Sequence, residues 1–279
     1  MLTEQQKKDR LLGVGGSDMA IIMGLSNYKT PYQLYMEKKG IIESSQEETE
    51  QQYWGNRLES VIRDEFSLKT GLVVTEPDTV VHPFYEFMRA NLDGWIESEN
   101  AVLEIKTVNN FMAHQWGDAG SDIIPMQYLV QVVHYVACTN ADKAYIAVLI
   151  GGNDFRVYTY LRDESLEEMV IEAARTFWEN MKNDIAPVAS NIPDLRLMFP
   201  RHNPETEILI NDDVAMDVDF LVQTNTRIKE LEKMADEYKF NIMRYMQMNE
   251  RLVSDEGKTI ATWKKNTRGS KTFLLKKAD

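Results

Sequence analysis

Apolar positions along this chain recur at two periods, and the changes from one period to the other divide it into elements. Over residues 53–70, Leu58, Val61, Ile62, Phe66 and Leu68 keep helical spacing and Gly71 is placed to cap the end, predicting a helix. Residues 126–138 and 163–181 repeat that pattern. Near the start, a glycine-rich turn leads through the pair Ser17-Asp18 into a short apolar helical run. Thr30 and Pro31 then open a helix that Gly40 ends, and residues 43–52 read as a solvated connection or helix start. Period-two segments lie between these helices. Residues 72–81 and 84–91 predict short strands, residues 93–106 a hairpin turning at Ser98 to Asn100, and residues 144–150 and 155–160 a second hairpin. Residues 109–125 read as a partly irregular loop. This alternation predicts an α/β fold with a mixed central sheet flanked by helices.

The C-terminal third changes character. Pro187, Pro193 and Pro200 mark a linker region. Residues 213–248 then keep spacings of three and four through Leu221, Ile228, Leu231, Ala235, Tyr238, Ile242 and Tyr245, a heptad-like stripe on one long helix. From Gly257 onward, Lys258, Lys264, Lys265, Arg268, Lys271, Lys276 and Lys277 face only Asp279, with Trp263 and Phe273 among them in a hairpin-like alternation. The expected organisation is a core unit over residues 1–205, a long amphipathic helix over 206–250 and a basic tail over 251–279.

Composition narrows the picture. The 279 residues are 43% hydrophobic and can bury a sizeable core. No apolar run approaches the roughly 20 residues that span a bilayer, and the polar start lacks a signal core, so no membrane association and a cytoplasmic location are expected. Cys138 is the single cysteine, which leaves no internal disulfide and no zinc or iron-sulfur set. A formal charge of −13 argues against a protein that coats nucleic acid with a basic surface. A locally basic channel, or bound cations, remains compatible with it.

The candidate chemistry lies in residues 93–106. A hairpin brings Asp93 near Glu104, and strand alternation puts Glu104 and Lys106 on one face with Ile105 on the other. Two carboxylates and an ammonium suit metal-dependent phosphodiester hydrolysis, with Mg2+ or Mn2+ on the oxygens. The pattern is Asp-x(10)-Glu-x-Lys. A solvated hairpin could carry the same three residues, but Glu59 upstream and the polar stripe Gln127, Gln131, His134 and Tyr135 downstream add company to them. For the stripe, a structural hydrogen-bond network is the competing account, and His134 suits a structural role better than a ligand. The helix start at Ser17 could offer backbone N–H groups to an anion with Arg10 beside it, although an ordinary capped helix explains the same residues.

Taken in order, these pieces resemble the YqaJ-type viral recombinases, phage alkaline exonucleases related to lambda exonuclease within the PD-(D/E)xK nuclease superfamily. The resemblance runs over about residues 10 to 180, through Gly13-Val14-Gly15-Gly16-Ser17-Asp18, Tyr28-Lys29-Thr30-Pro31-Tyr32, Trp54-Gly55-Asn56-Arg57-Leu58-Glu59, Asp93-Gly94, Glu104-Ile105-Lys106 and the segment from Gln127 to Tyr135. It implies a restriction-endonuclease-like core in which Asp93, Glu104 and the carbonyl of Ile105 hold two Mg2+ or Mn2+ ions. Lys106 would orient the attacking water, Glu59 complete the site, and Gln131 and Tyr128 stand near the scissile phosphate. Arg10 and Ser17 match positions that receive a terminal 5′ phosphate. Leu92 departs from the pattern, standing where the superfamily name has proline. The implied activity is 5′-to-3′ degradation of double-stranded DNA from its ends by a homotrimeric ring, in a phage or prophage protein working in the host cytoplasm. The remaining 3′ strand would pass to a single-strand annealing protein for recombination. An endonuclease with the same site, and a non-catalytic DNA-end adaptor, are the alternative readings.

Overall fold

In the computed structural model, which describes residues 10–43, 49–265 and 269–276, the chain divides into a unit ending at His202 and a second beginning at Asn203. The first opens with a two-residue strand β1 (Val14–Gly15), helix α1 (Gly16–Ile22) and helix α2 (Pro31–Lys38). Thr30 and Gln33 cap α2 reciprocally, as the Thr-Pro pair predicts. Helix α3 (Glu50–Thr70) starts three residues before the predicted boundary, because Thr49 accepts from the Gln52 amide and Gln52 reaches back to Thr49. The predicted end holds: Gly71 caps it in the left-handed conformation at φ 73°.

The strands expected over 72–81 and 84–91 are shorter in the structure, and Thr75 touches the main sheet only through an isolated antiparallel bridge to Trp95. The rest reduces to β2 (Val80–Val81) and β3 (Met88–Ala90), where β3 pairs with both β1 and β2 in a separate sheet of order β1-β3-β2. The physical reason is local. Pro77 and Pro83 lack the N–H a ladder needs, and the His82 ring nitrogen accepts from the backbone of Phe84 (3.1 Å) and Tyr85 (3.3 Å), turning the chain.

The central sheet runs β4 (Gly94–Ile96), β5 (Ala101–Val108), β6 (Lys143–Ile150) and β7 (Asp154–Leu161), in that order. Both predicted hairpins are present as the antiparallel pairs β4/β5 and β6/β7. The β5/β6 pair is parallel over its whole length, from Ala101 opposite Lys143 to Val108 opposite Ile150. Parallel neighbours require a crossover, which residues 109–142 supply through a 3-10 turn and helix α4 (Met126–Thr139).

Alternation along β5 splits the core in two. Leu103 and Ile105 pack with Ile62 and Phe66 of α3, whereas Val102 joins Val132, Val133 and Val136 of α4. Glu104 and Lys106 follow Val102 in alternation and therefore lie on the α4 side. Helix α5 (Glu164–Lys182) packs Val170, Ala174 and Phe177 into that same core.

The stretch read as a linker contains helix α6 (Ile192–Met198), capped by Asn191. It is anchored by Asp194, which is fully buried and accepts from Thr30 Oγ1 (2.8 Å), Gln33 Nε2 (2.9 Å) and Ser190. Proline density signalled only chain breaks. Pro193 instead sits in the first turn of this helix, where no N–H is needed.

The second unit holds helix α7 (Asp212–Met246) and strands β8 (Arg251–Val253), β9 (Thr259–Lys265) and β10 (Lys271–Leu275), in sheet order β10-β9-β8. Phe273 pairs with Trp263 across the ladder, and Lys271 Nζ lies 4.2 Å from the Trp263 ring centre. Arg268, Lys277 and Asp279 of the tail, and residues 44–48 of the acidic connection, lie outside the described residues. Among the described residues no helix is long and apolar enough to cross a membrane.

Candidate active site

The β4/β5 register pairs Gly94 with Leu103, so Asp93 and Glu104 follow as neighbours at the end of the ladder. Asp93 Oδ2 accepts from the backbone N–H of Ile105 at 2.7 Å, which fixes that carboxylate against β5. Glu104 is 1% exposed. Its Oε1 pairs with the Lys106 ammonium and accepts from Gln131 Nε2 at 2.8 Å. Its Oε2 is buried with no hydrogen-bond partner.

The electrostatics follow from that packing. Burial, reinforced by the Asp93 charge, pushes the Glu104 carboxyl up to about 8. Burial also raises Asp93, against the opposing pull of Lys106 and the Ile105 amide. For Lys106, burial disfavours the charge, yet Glu104 and Asp93 outweigh it and hold the ammonium above its ordinary value. Two adjacent acids share one nearby ammonium, and the Arg63 guanidinium also draws on Asp93.

Helix α4 lays its polar stripe over this pair. Gln131 Nε2 reaches both Glu104 and the Tyr135 hydroxyl (2.9 Å). Burial lifts the Tyr135 phenol well above its ordinary value, so it remains a neutral hydroxyl. Tyr128 stacks on Trp116 with ring centres 5.3 Å apart and presents its ring 5.5 Å from Lys106 Nζ. His134, by contrast, points away from the carboxylates, with Nε2 3.0 Å from the Arg89 carbonyl, and burial lowers it to about 4.

Glu59 stands at the margin. It pairs with Arg63 at 2.7 Å, and burial and the Asp93 charge both raise its carboxyl. Among the described residues, no three His, Cys, Asp or Glu side chains converge as a metal-ligand group.

Arg10 donates to Ser17 Oγ at 3.3 Å, and both are exposed. Their segment reaches α4 through Gly16, where a Cβ would fall 2.4 Å from a Tyr135 ring carbon and 3.1 Å from Gln131 Cγ. Lys38 braces the same segment, pairing with Asp18 at 2.7 Å and donating to the carbonyls of Gly13 and Arg10. Sequence reading passed over Trp116, Lys38 and the contact of Gly16 with Tyr135. The run of three small residues Gly15-Gly16-Ser17 was the available signal for a close approach.

Residues 6–142 match the family model described as YqaJ-like viral recombinase domain. The YqaJ protein of Bacillus subtilis (strain 168) is 39% identical over 175 residues, covering 62% of this chain and 54% of that protein, so the chain spans about half the length of this relative. The fold is similar to that of the alkaline exonuclease LHK-Exo from Laribacter hongkongensis, with a TM-score of 0.53 and 20% identity over 66% of this chain and 94% of that one. The LHK-Exo structure with dAMP gives the same values. The hairpin that carries Asp93, Glu104 and Lys106, together with the helix that carries Gln131, lies within the stretch that matches this family model.

Proposed function

We propose that the chain is a metal-dependent deoxyribonuclease that degrades double-stranded DNA from its ends. The observation that carries this reading is the buried, unpartnered Oε2 of Glu104 beside Asp93, with Lys106 on the same strand face. A buried oxygen of this kind is costly unless something occupies the position. The donor set is all oxygen, which suits a hard divalent cation. Asp93, Glu104 and the Ile105 carbonyl would hold it, as Mg2+ or Mn2+ and as two ions in the complete site. A cation bound there supplies Lewis acidity toward the scissile phosphate and lowers the pKa of the attacking water.

The chain's own residues do the positioning. Gln131 fixes the Glu104 carboxylate from above, and Lys106 places its charge where the phosphate gains charge during displacement. Tyr128 and Gln131 border the phosphate's position, and Glu59 with Arg63 closes the opposite edge. Arg10 and Ser17, both exposed, would take a 5′-terminal phosphate and so set a 5′-to-3′ direction. The product in this reading is a 3′ single strand, passed to a single-strand annealing protein during phage-type recombination in the host cytoplasm. A ring of three copies enclosing the duplex completes the reading.

The test is Mg2+-dependent digestion of a linear duplex labelled separately at each end of one strand, with a closed circle and Lys106→Ala alongside. Early loss of the 5′ label, an intact circle and an inert variant are expected. A cut circle would replace this reading with an endonuclease. Absence of digestion under any divalent metal would replace it with a DNA-end adaptor.

A further inference from the structure

Helix α7 is 35 residues long, roughly 52 Å, yet only its last residue, Met246, is buried. Its seam residues stand in the open: Leu221 is 61% exposed, Tyr238 60% and Ile228 47%. An isolated helix gains too little from its own hydrogen bonds to expose such a stripe, and amphipathic helices are held by what covers the apolar face. We infer that the seam of α7 is covered by α7 of a second copy of this chain, running antiparallel.

The order of residues selects both the occupant and the direction. The seam steps by four and three from Val214 to Ile228, takes a second step of three to Leu231, and then resumes four and three to Tyr245. An antiparallel copy centred between Lys229 and Glu230 therefore sets seam against seam along the whole length. Val214 falls opposite Tyr245, Leu221 opposite Tyr238 and Ile228 opposite Leu231, with Val218 one position off Ile242. The irregular step lies on the two-fold axis. Asn225, the polar member of the seam, falls one position off Ala235 and can turn its amide outward to water.

Charge decides against the parallel alternative. The first turns carry Asp212, Asp213, Asp217 and Asp219, whereas the last turns carry Lys239 and Arg244. Side by side, parallel copies would place four aspartates against the same four. The antiparallel copy instead sets Asp213 and Asp217 around Arg244, and Asp219 beside Lys239, which is the arrangement that selects partners in helical pairs. The interface is isologous and carries a two-fold axis. It is thus separate from any three-fold ring and independent of the proposed activity.

Directed cross-linking tests this in the full-length chain, where Cys138 is buried and unreactive by position. Val214→Cys and Tyr245→Cys are made as separate variants, mixed, and oxidised with copper phenanthroline. A disulfide needs Cα atoms within about 7 Å, so the mixture is expected to give a covalent dimer and each variant alone none. A dimer from Val214→Cys alone would establish the parallel arrangement and overturn the proposal. No cross-link in the mixture would overturn antiparallel self-pairing, whatever number of copies light scattering gives. As a second arm, Asp213→Lys with Asp217→Lys and Asp219→Lys should abolish pairing with itself and regain it with a Lys239→Glu, Arg244→Glu partner. Failure of that rescue would count against the charge argument on which the direction rests.

Discussion

Gln131 donates to Glu104 from a helix that crosses over the strand bearing that carboxylate, and the same amide nitrogen reaches the Tyr135 hydroxyl. One side chain therefore sets the orientation of the more deeply buried acid of the Asp93–Glu104 pair. Gln131→Ala should lower nuclease turnover by about 10- to 100-fold, the usual effect of removing a group that orients a metal ligand. It should also lower stability by about 1–3 kcal/mol through the hydrogen bonds lost to Glu104 and the Tyr135 hydroxyl. Single-turnover digestion and urea unfolding check the two effects separately. Turnover equal to wild type would remove Gln131 from the site.

Added Mg2+ or Mn2+ should raise the melting temperature of the wild-type chain and leave Glu104→Gln unmoved. A cation that binds only the folded state stabilises it by about 2.7 kcal/mol at 100 times its dissociation constant. Thermal melts with and without chelator give the comparison. An equal rise in both proteins would place the ion elsewhere.

Gly16→Ala should destabilise the fold by about 1–3 kcal/mol, the cost of overpacking a close contact, because the added Cβ would meet the Tyr135 ring at 2.4 Å. Gly55 supplies the control. A Cβ there meets only Thr107 Oγ1, at 3.4 Å, inside helix α3, so Gly55→Ala should gain up to about 1 kcal/mol. Chemical denaturation of both variants separates crowding from backbone entropy.

His134 makes stability depend on pH in a defined direction. Burial lowers it to about 4 from 6.5, so between those values the unfolded chain binds a proton that the folded chain refuses. Its contribution is complete above pH 6.5 and is lost as pH falls toward 4, by about 3 kcal/mol in all at 1.36 kcal/mol per pKa unit. The difference in unfolding free energy between wild type and His134→Gln should therefore shift in favour of the variant across that window. A constant difference from pH 7.5 to 4 would contradict the burial of a neutral imidazole.

Much of the site was legible because its residues sit on regular elements. Strand alternation placed Glu104 and Lys106 on one face, and the short turn at residues 98–100 brought Asp93 to them, so local periodicity sufficed. Helical spacing also put Gln131 and Tyr135 on one stripe. What it could not supply was which element that stripe faces, since the parallel β5/β6 pairing that lays α4 on β5 joins residues about 40 positions apart. Asp194 was missed for a related reason: its partners Thr30 and Gln33 lie more than 160 residues away, and its own neighbourhood of prolines and asparagines reads as loop. Phe84 to Phe87 misled in the opposite way. Their aromatic content favours a strand, but the His82 ring claims the backbone N–H groups that a ladder would have used.

The Asp194 anchor reaches further than the helix in whose first turn it sits. Asp194 holds the N-terminal cap of α2, and Lys38 at the other end of α2 holds the carbonyls of Arg10 and Gly13. The beginning of the described chain is thus fastened to residue 194 through a single eight-residue strut. Residues 6–142 match the family model, yet the brace on Arg10 depends on a side chain some fifty residues beyond that match. A fragment cut at the end of the match would keep Asp93, Glu104, Lys106 and Gln131 while freeing the strut that holds Arg10 in place.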